Sequence, residues 1–143
     1  MNQRVAWALA TLLSGLTVTD GAEAEILPVC SVPVGVAALP VDDPITQAIV
    51  ASLSTGSRMA MPGEPFNPGD VMQPGLSNRR LVFVWQSKGR AIAVTEHGGR
   101  GYYNPVFAFD VSERGNRVAI VATQNAFPST ACQIARDMIA APK

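Results

Sequence analysis

The chain has 143 residues, and its 11 basic and 11 acidic residues give a formal net charge of zero at pH 7. A balance this close excludes the broad basic surface that binds nucleic acid or anionic membranes, so we predict no nucleic-acid partner. Hydrophobic residues make up 48% of the chain, and the length suits one domain with a buried core.

The N-terminal segment has the three parts of a secretory signal peptide. Arg4 supplies the positive charge, residues 5–18 are largely apolar, and two alanines shortly before Glu25 are the small residues of a cleavage site. The apolar stretch is shorter than the roughly 20 residues that span a bilayer. We therefore expect residues 1–24 to be removed, which leaves residues 25–143 as a periplasmic or secreted protein that is not integral to a membrane.

The two cysteines, Cys30 and Cys132, lie near opposite ends of this mature chain. In an oxidising compartment an even number of cysteines favours a disulfide, which we predict here; two buried free thiols are the alternative. The chain has no Cys-x-x-Cys or His-x-x-x-His spacing, and one histidine with two cysteines cannot complete a four-ligand zinc site. We therefore predict neither a metal site nor a cofactor.

A short helix and a long loop are predicted after an extended segment at residues 25–41. Asp43 and Pro44 are typical of an N-cap and a first helical position, and Gly56 is typical of a helix end. Residues 57–80 are too rich in proline and glycine for a regular element. Large apolar residues recur in this loop: Met59, Met61, Phe66, Val71 and Met72. We expect them to pack the loop onto the core, and a contact surface for a partner is the alternative.

Two β-hairpins are the clearest pattern in the chain. Residues 81–85 and 91–95 are predicted strands joined by a Lys-Gly turn, and residues 106–111 and 118–123 are predicted strands joined by an Arg-Gly turn. Two-residue turns set the facing pairs, which are Phe83–Val94, Trp85–Ile92, Phe109–Ile120 and Val111–Val118. Each hairpin then has a bulky face, predicted to be core, and an alanine-rich face that needs a cover.

A last helix is predicted to begin at Pro128, with an apolar stripe formed by Cys132, Ala135, Met138 and Ile139. The predicted fold class is therefore α+β. It consists of a four-stranded antiparallel meander flanked by an N-terminal and a C-terminal helix, in a single domain over residues 25–143. The sequence does not determine how the second and third strands are ordered in the sheet, or which sheet face each helix covers.

The glycine-rich stretch at residues 95–103 is the candidate binding site. Glycines with positive φ explain it as a wide turn between strands, and an anion site built from backbone N–H groups is the alternative. Arg100 offers a planar two-pronged donor, and two tyrosines offer ring faces and hydroxyls. The candidate contact residues are Arg100, Tyr102, Tyr103 and Asn104.

His97 is the candidate catalytic residue of an alternative function. It could act as a general base for a hydroxyl such as that of Ser77 or Ser129. However, the chain contains no Gly-x-Ser-x-Gly motif, and Glu96 points away from its neighbour His97 if both lie in a strand. The sequence therefore favours a protein without catalytic residues.

The predicted function is that of a small exported binding or inhibitory module. We expect it to engage a protein or an envelope component through the loop at residues 57–80, the loop at residues 97–104, or both. Two alternatives remain open. One is a small exported hydrolase that uses His97, and the other is a structural envelope domain that forms a homodimer through the alanine-rich sheet face.

Overall fold

The structure is a computed structural model that describes residues 29–115 and 117–142. The predicted signal peptide lies outside these residues. Two helices and five strands follow in chain order: β1 (Ala37–Leu39), α1 (Pro44–Leu53), β2 (Arg79–Ser87), β3 (Arg90–His97), β4 (Asn104–Val111), β5 (Val118–Ala126) and α2 (Pro128–Ala140). The fold is a small α+β domain with an antiparallel sheet, as predicted at this coarser level.

The sheet has five strands rather than the predicted four. Its order is β1-β2-β3-β4-β5, and every neighbouring pair is antiparallel. The additional strand, β1, places Ala37 opposite Gln86 and Leu39 opposite Val84. This strand was not predicted, because three residues are too few to show the alternation of apolar and polar residues that identifies a strand.

Both predicted hairpin registers are confirmed. Trp85 faces Ile92 across the first hairpin, and Phe109 faces Ile120 across the second. The remaining two predicted pairs are also present, Phe83–Val94 and Val111–Val118.

The prediction of one bulky and one alanine-rich sheet face is wrong. Between β3 and β4, Ile92 lies opposite Ala108, and Ala91 lies opposite Phe109. The bulky residues of one hairpin therefore lie beside the small residues of the other on both faces of the sheet. Large and small side chains therefore alternate between neighbouring strands on both faces, so a helix can pack closely on either side.

Each face of the sheet is covered by one helix. Helix α2 packs through Ala131, Ala135 and Ile139 on a cluster that contains Trp85 and Ile92. On the other face, α1 and the first part of the long loop cover a second cluster, which consists of Ile49, Leu53, Met59, Leu81, Val84, Ala91, Ala93, Phe109 and Val111. The helices cover the central strands on both faces, whereas residues 119–125 of β5 are exposed. The alternative of a homodimer through alanine-rich residues of the sheet stays a prediction.

The predicted disulfide is present and joins the N-terminal segment to α2. Cys30 and Cys132 are bonded, with their Cα atoms 5.4 Å apart and a sequence separation of 102 residues. A cross-link that closes a loop of this length stabilises the fold by about 4.7 kcal/mol in the chain-entropy description. No helix within residues 29–115 and 117–142 is long and apolar enough to cross a membrane.

Local capping sets where the two helices begin. The Asp43 carboxylate accepts a hydrogen bond from the backbone N–H of Ile45 at 2.8 Å, which satisfies one of the free donors in the first turn of α1. Helix α1 ends at Leu53 and so stops short of Gly56, which had been expected to mark its end. Helix α2 begins with Pro128 at its first position, as expected.

Candidate functional site

The glycine-rich stretch closes the connection between β3 and β4. The backbone N–H of His97 donates to the carbonyl of Tyr103 at 2.9 Å, and the reciprocal bond measures 3.3 Å. Between them, Gly99 and Gly101 have φ angles of 112° and 80°, which other residues adopt only at a cost. The stretch is thus a wide turn, in agreement with the first of its two interpretations.

Gly98 brings this turn into direct contact with the long loop. Its N–H donates to the carbonyl of Asn78 at 2.8 Å, and the N–H of Gly99 donates to the carbonyl of Pro68 at 3.2 Å. A Cβ atom on Gly98 would lie 2.0 Å from the carbonyl oxygen of Asn67. Only glycine permits so close an approach of two backbone segments. The loops at residues 57–80 and 97–104, which were predicted as separate candidates, therefore form one surface.

Asn67 fixes the shape of the long loop at this contact. Its side chain is 1% exposed, and its amide donates to the carbonyl of Val71 at 2.7 Å and accepts from the N–H of Gly69 at 3.2 Å. Its own N–H donates to the carbonyl of Ser77 at 2.7 Å. One buried amide thus organises a tight local turn at residues 67–71.

This turn presents two large apolar side chains to solvent. Val71 is 75% exposed and Met72 is 66% exposed, whereas Met59 is buried in the core. The expectation that all the apolar residues of the long loop pack on the core is therefore wrong for Val71 and Met72. We call residues 66–73 and 98–101 together the paired-loop surface; it also carries the exposed side chain of Arg100.

A buried carboxylate supports the paired-loop surface from below. Glu96 is 3% exposed, and its two oxygens accept from the Arg80 guanidinium at 2.5 Å and the Tyr102 hydroxyl at 2.6 Å. The Arg80 guanidinium also lies over the ring of Phe66, 4.2 Å from its centroid. Burial raises the pKa of Tyr102, and its hydrogen bond to the Glu96 carboxylate raises it further. Tyr102 therefore stays a neutral donor that ties the turn to β3.

His97 has a second tyrosine as its partner. The Tyr103 hydroxyl and the Nδ1 atom of His97 are 2.6 Å apart. Burial lowers the pKa of His97 below its ordinary value, and the positive charge of Arg79 lowers it further, so the imidazole is neutral at pH 7. Arg79 is itself fixed by a hydrogen bond to the carbonyl of Leu53 at 3.0 Å, at the end of α1.

In the part of the chain that the structure describes, the Ser77 hydroxyl forms no hydrogen bond with His97. Ser77 donates instead to the backbone carbonyl of Arg58 at 2.6 Å. Glu96 lies next to His97 in β3 but directs its oxygens to Arg80 and Tyr102. Within residues 29–115 and 117–142, no group of three or more His, Cys, Asp or Glu side chains could hold a metal ion.

The four predicted contact residues occupy different environments. Arg100 is exposed, while the hydroxyls of Tyr102 and Tyr103 are turned inward to Glu96 and His97. Asn104 is fully buried and donates to the carbonyl of Thr95 at 3.2 Å. Of the four, Arg100 is therefore the one with an exposed side chain. Tyr102, Tyr103 and Asn104 help to set the conformation of the turn.

Comparison of the chain with protein-family models, with curated proteins and with solved structures finds no match.

Proposed function

We propose that this protein is a small exported binding or inhibitory module that acts without catalysis, and that it engages its partner through the paired-loop surface. The partner is a protein or an envelope component outside the cytoplasm. The predicted signal peptide supports export, and so does the Cys30–Cys132 disulfide, because such bonds persist in oxidising compartments.

The observation that carries this proposal is the exposure of Val71 and Met72 on a turn that is held by hydrogen bonds. Exposed apolar side chains are usually scattered, and adjacent ones on an ordered turn are typical of contact sites. Here the Asn67 amide and the Gly98 contact hold the turn in place. Such a turn loses little conformational entropy when a partner binds, which favours affinity.

The chemistry of the paired-loop surface indicates the kind of partner surface it fits. Methionine is flexible and polarisable, so Met72 can adapt to an apolar patch of varied shape. Arg100 is exposed beside Gly99, which is bonded to the long loop, and its guanidinium can pair with a carboxylate in two-pronged fashion. We therefore expect an apolar patch with an acidic group at its border.

The test compares two variants of the mature, disulfide-bonded protein. The first replaces Val71 and Met72 with Ser and Arg100 with Ala, and the control replaces Val34 with Ser, because Val34 is a fully exposed apolar residue outside the paired-loop surface. Each protein is immobilised and exposed to periplasmic or extracellular extract, bound proteins are identified by mass spectrometry, and the purified candidate is titrated by calorimetry.

We expect the wild type and the Val34→Ser control to bind the same partner, and the triple variant to lose at least about tenfold in affinity with an unchanged melting temperature. Equal binding by the triple variant and the wild type would remove the paired-loop surface from the proposal. Turnover in a hydrolase substrate screen that disappears in His97→Ala would replace the proposal with the catalytic alternative.

A further inference from the structure

Strand β5 is a long open edge of the sheet. It comes last in the strand order, so it pairs with β4 on one side, and no strand in residues 29–115 or 117–142 covers its other side. The opposite edge is formed by β1, which has only three residues, whereas β5 has nine. The backbone N–H and C=O groups on the outer side of β5 are a template for another strand.

This edge lacks most of the features that prevent strand pairing. Proteins usually protect an edge with charged residues, proline or a bulge. No residue of Val118–Ala126 is charged or a proline, and residues 119–125 are all exposed. One bulge is present, because Ile120 lies opposite Phe109 while Ala122 lies opposite Ala108, which makes Val121 the additional residue. Residues 122–126 after the bulge are regular strand.

We propose that a second copy of this chain pairs with β5 in antiparallel orientation, around a two-fold axis at Gln124. In this register Gln124 of one copy faces Gln124 of the other, and Thr123 faces Asn125. Pairing through the regular residues after the bulge keeps the side chains of both copies on matching faces. The result is one continuous sheet through both copies.

The residues that flank the edge favour a second copy over an unrelated strand. Val121 is 48% exposed and Phe127, just beyond the strand, is 70% exposed. In the two-fold register the bulge at Val121 of each copy comes beside Phe127 of the other, at the two ends of the paired residues 122–126, so both exposed apolar side chains lie at the contact. Because the strand carries no charge, self-pairing brings no like charges together.

The expected dimer is reversible. The paired residues 122–126 span about 17 Å, and pairing along so short an edge buries less than the roughly 1,600 Å² of a standard stable interface. Association should therefore depend on protein concentration. The proposal is independent of the paired-loop surface, since β5 and its flanking Phe127 lie outside residues 66–73 and 98–101.

The test introduces a charge at the two-fold axis. Gln124 is exposed, so Gln124→Lys and Gln124→Glu should both fold, which melting temperature and circular dichroism verify. Each variant places two like charges directly opposite each other, whereas an equal mixture pairs Lys with Glu. Gln133→Lys is the matched control, because Gln133 is exposed on α2 away from the strand.

Sedimentation velocity over a range of concentrations measures the dissociation constant. We expect the wild type and Gln133→Lys to show the same monomer–dimer equilibrium, and each Gln124 variant alone to raise the dissociation constant at least about tenfold. Mixing the two variants should restore a dimer. A wild type that stays monomeric at the highest soluble concentration would overturn the proposal, and so would Gln124 variants that dimerise unchanged or a mixture that fails to recover.

Discussion

Strand β3 begins and ends in connections of opposite character. At its start, the two-residue turn Lys88-Gly89 has φ angles of 47° and 75°, which match the twist of the flanking strands. At its end, the turn at residues 98–102 is set by hydrogen bonds to Asn78 and Pro68, far away in the sequence. In the first turn, glycine is needed because Gly89 has a positive φ angle. In the second turn, glycine is needed at position 98 because a side chain there would collide with the long loop.

This difference makes the second connection the better support for a contact surface. The conformation of the Lys88-Gly89 turn is set by its own residues, and its bond from the Val111 N–H to the Gly89 carbonyl at 2.8 Å extends the pairing of β3 with β4. The second turn is stabilised by the long loop, and in return it fixes the position of Val71 and Met72. A contact surface requires such remote support, because a binding residue on a loop is useful only if a scaffold positions it.

The largest effect is expected from Gly98→Ala. The added Cβ would lie 2.0 Å from the carbonyl oxygen of Asn67, and backbone on both sides must move to admit it. We expect a loss of about 3 kcal/mol in the free energy of unfolding, at the upper end for overpacking. Urea denaturation of the disulfide-bonded protein measures this loss.

Gly101→Ala is the control for Gly98→Ala. Gly101 has a φ angle of 80°, but nothing lies within 4 Å of its added Cβ, so this substitution tests backbone strain alone. We expect a cost of about 1 kcal/mol for it. If the two variants lose equal stability, then the long loop moves away from the added Cβ at little cost, and the Gly98 contact does not set the conformation of the second turn.

A smaller effect is expected from Glu96→Gln. The amide keeps the shape of the carboxylate but removes the charge that Arg80 and Tyr102 share. Hydrogen bonds to charged groups contribute more than neutral ones, and Arg80 is exposed enough to relax towards solvent, so we expect a loss of about 2 kcal/mol. Thermal or urea unfolding provides the measurement.

Glu64→Gln is the matched control for Glu96→Gln. Glu64 pairs with Arg58 at 3.2 Å, and the two side chains are 41% and 70% exposed. The Glu64 carboxylate also accepts from the Met61 N–H at 2.9 Å, a bond that the glutamine amide oxygen can keep. Exposed ion pairs contribute about 0.5 kcal/mol or less. A Glu96→Gln variant no less stable than Glu64→Gln would mean that the buried carboxylate does not support the paired-loop surface.

Much of the fold was accessible from the sequence because its signals are local. The Lys88-Gly89 turn, the alternation in both hairpins and the Asp43-Pro44 helix start each depend on neighbouring residues. Strand β1 was missed because it exists only through its pairing with β2. The β3–β4 register was also open, because the wide turn between these strands does not fix it.

The candidate site could be predicted only in part, because much of it depends on contacts between residues far apart in the sequence. Its location at residues 97–104 followed from the glycines and from Arg100. The role of Asn67 and the exposure of Val71 and Met72 depend on contacts across the two loops, and no local pattern reports them. A single signal was available: two adjacent large apolar residues next to Asp70, within a loop of prolines and glycines.

The smallest effect is expected from the titration of His97, and it tests whether the second turn responds to pH. The pKa of His97 is lowered in the folded protein, by burial first and by Arg79 second, from its ordinary value of 6.5. The folded state therefore binds fewer protons than the unfolded state in this range, and stability present above pH 6.5 is lost as pH falls through 6.5 towards the lower folded pKa. Urea denaturation between about pH 7.5 and 5.5 should show this decline.

His97→Gln isolates this contribution, because glutamine does not titrate and can still reach the Tyr103 hydroxyl. We expect the decline in stability below pH 6.5 to become shallower in the variant. Identical pH profiles for the variant and the wild type would show that the imidazole is as accessible to protons in the fold as in the unfolded chain. The His97–Tyr103 contact would then be a surface feature and would not help to hold the turn.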